Sequence, residues 1–145
     1  PLTQRARAAG QATKSIPVLV RAVNCQEPTR LCRIYAAGTA YVNHQTLVAA
    51  PRGIPAREGF KAYIAQRIAA FPDLSLKAEI ALESADLVAV NLIWSGTHQG
   101  TYLDIPATGK KVSWNSTDIL RVKTGLFSGH LGAVDFYGLA RQPKS

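Results

Sequence analysis

The chain has 145 residues and a formal charge of +8, from 17 basic and 9 acidic side chains. That length fits one domain, and an apolar share of 47% suits a real core and argues against disorder. No apolar run approaches the roughly 18 residues of a membrane span, and no dense Lys/Arg block interleaves with aromatics as a nucleic-acid groove requires. The charge therefore reads as a general preference for anionic surroundings rather than as a nucleic-acid footprint.

Residues 1–15 are polar and Ala-rich and read as a loose arm. Arg5, Arg7 and Lys14 are not followed by an apolar segment and cleavage site, so a secretory leader is not expected and the cytoplasm is the expected location. A single domain is expected over residues 16–142. Residues 16–24 open an apolar-periodic helix, with Pro17 suited to its first turn. Cys25 and Cys32 stand seven residues apart, too far for a bridge if the segment is helical. Both read as reduced packing residues. A short helix is expected over 28–37, ended by Gly38.

Residues 39–48 carry β-branched and aromatic side chains and read as a short strand. The clearest helix covers 57–71, where Phe60, Ile64, Ile68 and Phe71 recur at threes and fours. Lys61, Gln66 and Arg67 are expected on its wet side, and Pro72-Asp73 stops it. Strands are expected at 74–82, 87–96, 111–122 and 126–134, with hairpin turns at Asp86 and Thr124-Gly125. Helices first and consecutive strands after give an α+β fold, with helices packed on one face of a curved antiparallel sheet.

Alternation along the strands selects the candidate site. Val88, Val90, Leu92 and Trp94 share one face, and His98 joins them if the strand runs past Gly96. Val112, Trp114, Ser116, Asp118, Leu120 and Val122 share another such face. A carboxylate in an apolar row must be paired, hydrogen-bonded or protonated. Asp118 is thus either an acid/base or an anchor for Ser116, a backbone amide or a tyrosine. His98, between Gly96 and Gly100, is a candidate to polarise a carbonyl, or else a rim histidine bonded to backbone. His130 shares parity with Ser128 and Gly132 and is a second imidazole candidate. His44 is a third, from another element. Asp135 either lines the pocket or caps the turn into Phe136-Tyr137-Gly138. Eleven aromatic residues allow some to wall a ligand, and Tyr41, Phe60, Trp94 and Trp114 are the expected ones. Three distant histidines without a local motif do not make a metal site. Nucleophile-elbow, Walker and dinucleotide motifs are absent.

Five segments together resemble the SnoaL-like polyketide cyclases, also called ester cyclases, within the NTF2-like cone-shaped domains. They are Ala22-Val23-Asn24, Phe71-Pro72-Asp73, the run from Trp94 through Gly96, Thr97 and His98 to Gly100, the run from Leu103 through Pro106 to Lys110, and Asp118 to Arg121. The ending, His130 then Asp135 and the Gly138–Gln142 run, is similar too. The resemblance implies N-terminal helices against a strongly curved antiparallel sheet enclosing an apolar cavity. It also implies acid/base chemistry without metal or cofactor, as in aldol ring closure, and homodimers. His98 matches a family histidine that lies close to the substrate. The family's acid/base aspartate falls two residues after the position of His130, where this chain has Gly132; Gly129 and Leu131 replace its usual Glu and Trp.

Two function classes follow. One is a cofactor-independent cyclase or isomerase acting on an apolar polycyclic polyketide or related metabolite, with His98, Asp118 and His130 as catalytic candidates. A close variant is a hydroxylation or rearrangement enzyme with a rebuilt site. The other class is a non-catalytic ligand- or partner-binding domain, favoured by Gly132.

Overall fold

The computed structural model describes residues 14, 16–26, 42–43 and 56–142. The expected arm, the 28–37 helix, Cys32, Tyr41 and His44 lie outside the described residues.

Helix α1 covers 16–24. Ile16, Leu19, Ala22 and Val23 are buried on one stripe, and Val18 faces out. Asn24 fastens its end to the sheet: Leu76 N donates to Asn24 Oδ1 (2.6 Å), and Asn24 Nδ2 donates to Leu76 O (3.0 Å). Helix α2 runs Ala56–Ala70. It buries Ile64 and Ala70 and packs Phe60, Tyr63 and Ile68 against the same core.

Four long antiparallel strands follow: β2 (Ser75–Ser84), β3 (Leu87–Thr97), β4 (Lys111–Lys123) and β5 (Leu126–Val134). A two-residue strand β1 (Val42–Asn43) adds to β5 in parallel, giving the order β1-β5-β4-β3-β2. The four long strands and their hairpin turns stand where the sequence placed them; of the strand expected over 39–48, only residues 42–43 are among the described ones. Thr124 and Gly125 turn the β4–β5 hairpin with φ of 51° and 78°, the left-handed pair a tight hairpin needs.

Strands β3 and β4 bury the two rows expected from their alternation. In register, Val90 faces Asp118, Leu92 faces Ser116 and Trp94 faces Trp114. On β5 strict alternation fails. Phe127 and His130 differ in parity, yet both are buried. Val122 pairs with Phe127 while Arg121 pairs with Gly129, so Ser128 is a bulge. One extra residue brings the next side chains to the other face, and so Phe127 and His130 both reach the core.

Arg67 corrects the expectation for α2. It is only 1% exposed and sits in the core, not on the wet side. It lies three residues after Ile64 and four before Phe71, squarely on the apolar stripe. A short helix α3 (Phe136–Arg141) ends the described fold. Asp135 caps it, accepting from Gly138 N (2.7 Å).

Candidate active site

A wired row of polar groups crosses the inner face of the sheet. Trp94 Nε1 donates to Ser116 Oγ (2.9 Å), which donates to Asp118 Oδ2 (2.8 Å). The other carboxylate oxygen accepts from His130 Nε2 at 2.6 Å. Four residues from three strands thus converge, because β4 places Ser116 and Asp118 two apart and the β5 bulge turns His130 inward. Ser116 Oγ already donates to one oxygen of Asp118, and an ionised carboxylate takes its second hydrogen bond from a protonated Nε2 of His130. Nδ1 is buried without a hydrogen-bond partner among the described residues. Phe60 of α2 meets the ring edge-on, 6.4 Å between centroids.

Facing this row is Arg67. Its Nε donates to the Tyr102 hydroxyl (3.1 Å), and Nη2 donates to the Tyr63 hydroxyl. Its guanidinium carbon lies 4.1 Å from the Tyr63 ring centre and 4.5 Å from that of Trp94. These are cation–π distances. Burial pushes the Tyr63 phenol far above the ordinary tyrosine range, and the nearby Arg67 charge only partly opposes that. Tyr63 is therefore a neutral phenol, not a counter-ion. No carboxylate among the described residues pairs with Arg67.

Between these groups lies a cavity of about 30 Å³. Arg67, Tyr63, Trp94, Ser116, Asp118 and His130 line its polar part, with Phe60 and aliphatic side chains completing the wall. A drug-sized ligand typically needs a pocket of about 300–1,000 Å³. A larger substrate therefore enters only if wall side chains move. Phe60 and Tyr63 on α2 and Val134 on β5 are the half-buried part of that wall.

Of the expected site residues, Asp118, His130, Phe60 and Trp94 are brought together. His98 is not among the residues lining this cavity. It is buried farther along β3, stacked on Phe71 at 5.4 Å, with Nδ1 3.1 Å from Thr108 Oγ1. Its backbone carbonyl accepts from Thr108 N and Gly109 N, closing the 98–110 loop. The flanking glycines explain why it goes there. A Cβ on Gly96 would lie 2.9 Å from Phe71 Cβ, and one on Gly100 2.7 Å from Ala69 O. Only glycine lets the end of β3 close on the end of α2. Trp114 stands behind Trp94, stacked at 6.1 Å. Asp135 is exposed and occupied as the α3 cap. Gly132 lies directly across the sheet from Asp118. The sequence reading missed Arg67, Tyr63 and Tyr102; for Arg67 the stripe position was the available signal. Among the described residues, no three His, Cys, Asp or Glu side chains gather into a metal-sized cluster, and no helix is long and apolar enough to cross a membrane.

Comparison with solved structures finds the same fold repeatedly. TsrD from Streptomyces laurentii is 26% identical, with a TM-score of 0.80 over 92% of this chain and 95% of that one. IdmH from Streptomyces antibioticus, described as a proposed polyketide cyclase, is 23% identical, with a TM-score of 0.78 over 92% and 98%. AclR from Streptomyces galilaeus, described as a proposed hydroxylase, is 20% identical, with a TM-score of 0.74 over 97% of each chain. No curated protein matches the chain. The sequence profile of the SnoaL-like polyketide cyclases matches residues 18–143. With helices on a curved antiparallel sheet shared across these structures, the chain belongs to the SnoaL-like polyketide cyclase family.

Proposed function

We propose that this chain is a cofactor-independent acid/base enzyme of the cyclase or isomerase kind. Its substrate is an enolisable carbonyl compound of the aromatic polyketide class or a related secondary metabolite. The observation that carries this reading is the buried Asp118–His130 pair on the wall of a cavity.

Aldol-type chemistry needs a base for a C–H proton and an acid to return one. Asp118 fixes the His130 ring through Nε2–H, which leaves the unpartnered Nδ1 to accept the substrate proton. The imidazolium so formed sits beside the carboxylate, which stabilises it. The same proton then passes to the new alkoxide. Ser116 and Trp94 hold the second carboxylate oxygen, so Asp118 keeps one orientation throughout. Asp118 stands opposite Gly132, so a carboxylate remains beside the place where the family carries one, moved by one strand. A polycyclic substrate enters by displacing Phe60, and closure around it supplies proximity. The reading includes a cytoplasmic homodimer formed through the outer sheet face, where the paired Ile119 and Leu131 are 40% and 51% exposed.

The small volume of the cavity favours a second reading, a binding domain without catalysis. Deuterium exchange at the central carbon of pentane-2,4-dione, followed by NMR, separates the two. The enzyme reading expects acceleration by the wild-type protein that falls by about 10²–10⁴ in Asp118→Asn and in His130→Asn. Exchange no faster than in buffer would leave the binding domain as the better account.

A further inference from the structure

The geometry points to Arg67 as the group that holds the substrate's oxygen anion, which makes the substrate a neutral carbonyl compound that becomes an enolate inside the cavity. This rests on the acid/base reading of Asp118 and His130 and adds its missing half. His98 was the expected donor for the carbonyl oxygen, but it is packed against Phe71 and Thr108, away from the cavity lining. Arg67 is on the lining.

Three observations support this role. First, Arg67 is 99% buried by its 1% exposure, yet no carboxylate among the described residues pairs with it. An uncompensated buried guanidinium is costly, and an anion beside it would relieve that cost. Second, its hydrogen bonds are incomplete. Nε and Nη2 donate to Tyr102 and Tyr63, while Nη1 has no partner among the described residues. The two tyrosines and the Trp94 face fix the guanidinium plane, so its free donor is preorganised. Third, burial keeps Tyr63 a neutral phenol, so it cannot serve as the missing counter-charge.

Charge balance selects a neutral substrate. The ionisable groups on the cavity lining are Arg67, Asp118, His130 and Tyr63. In the acid/base reading His130 acts as a neutral imidazole and Tyr63 stays a neutral phenol; one positive and one negative group, Arg67 and Asp118, then remain on the lining, and they do not pair with each other. When the C–H bond breaks, the proton goes to His130 Nδ1. The bonding pair moves into the new carbon–carbon double bond, and the carbonyl oxygen takes the negative charge. Imidazolium then lies beside Asp118 and enolate beside Arg67. Each new charge appears next to an opposite charge already in place, and the total does not change. A substrate that arrived as an anion would instead add an unbalanced charge to a buried site.

The probe is 4-nitrophenol, whose phenolate mimics an enolate oxygen and whose colour reports ionisation without any C–H chemistry. It is titrated into the wild-type protein at a pH where the free phenol is mostly protonated. The expected result is bound phenolate, with the ionised fraction of bound probe falling at least tenfold in Arg67→Met and largely restored in Arg67→Lys. Binding of the neutral phenol by the wild-type protein, or no binding, overturns the proposal, and so does an Arg67→Met protein that holds phenolate as well as the wild type. The wild-type titration decides even if Arg67→Met does not fold. Dione exchange without bound phenolate would sink Arg67 alone. Bound phenolate without dione exchange would instead sink the C–H proton transfer assigned to the Asp118–His130 pair.

Discussion

Asp118 on β4 and Gly132 on β5 are directly opposed neighbours in the sheet. Side chains at such positions lie about 4.5–5.5 Å apart at Cβ. Asp118 therefore borders position 132, where the family resemblance implies an aspartate, and its two oxygens are already engaged by Ser116 and His130.

Placing an aspartate at position 132 is expected to harm the protein. In Gly132→Asp two carboxylates share one buried site, and each opposes ionisation of the other. The folded protein then favours a protonated carboxyl that the unfolded chain does not. Stability should be lost as pH rises, by on the order of 1–3 kcal/mol more at about pH 8 than at about pH 5. Urea unfolding at both values checks this. Equal losses at the two pH values would mean that position 132 does not face Asp118.

Tyr63→Phe removes the acceptor of Arg67 Nη2. The loss of a hydrogen bond to a buried charge should cost about 1.5–3 kcal/mol at neutral pH. The pH dependence has a definite sign. Burial raises the Tyr63 phenol above its unfolded value, so its contribution is complete below about pH 10 and is lost as pH rises beyond that. The stability gap between wild type and Tyr63→Phe should narrow in alkali. A gap that widens there would contradict the neutral phenol.

Asp73 behaves in the opposite sense. Thr97 N and Thr97 Oγ1 both donate to its carboxylate, at 2.5 and 2.7 Å, and hold it below the usual carboxylate range. Its contribution is complete above about pH 4 and is lost as pH falls through the lower folded value. Asp73→Asn should cost about 1 kcal/mol near neutrality, and thermal melts should converge with wild type in acid. The site is exposed, so added salt should weaken the effect.

Thr108→Val tests the burial of His98. Nε2 of that ring already lacks a partner among the described residues. Removing the Thr108 hydroxyl leaves both ring nitrogens without side-chain partners, which should cost about 1–3 kcal/mol. Thr108→Ser should recover most of it. An unchanged Tm in Thr108→Val would show that the ring does not depend on this contact.

The long strands were legible in the sequence because β3 and β4 alternate strictly, and a pleated strand allows only two faces. Asp118 could be singled out for the same reason, as a carboxylate in an apolar row. α2 was legible from the recurrence of Phe60, Ile64 and Phe71, and the hairpin turn from Thr124-Gly125. The family was legible in segments that the fold explains, such as Gly96 and Gly100 closing on the end of α2.

What the tertiary structure alone decided is which of these residues meet. His98 and Trp94 share a strand face, yet His98 lies past the cavity, because a strand advances about 3.3 Å per residue and four residues carry it out of reach. His130 reaches Asp118 only because a bulge at Ser128 resets the parity of β5, and local sequence does not announce a bulge. Arg67 looked like a solvated residue because a lone charge normally avoids the core. Two tyrosine hydroxyls and two aromatic faces, from Tyr63 on its own helix and from Trp94 and Tyr102 distant in sequence, are what let it stay inside. Composition and periodicity determine faces and elements; pairing between distant residues depends on register and on burial, which only the folded chain fixes.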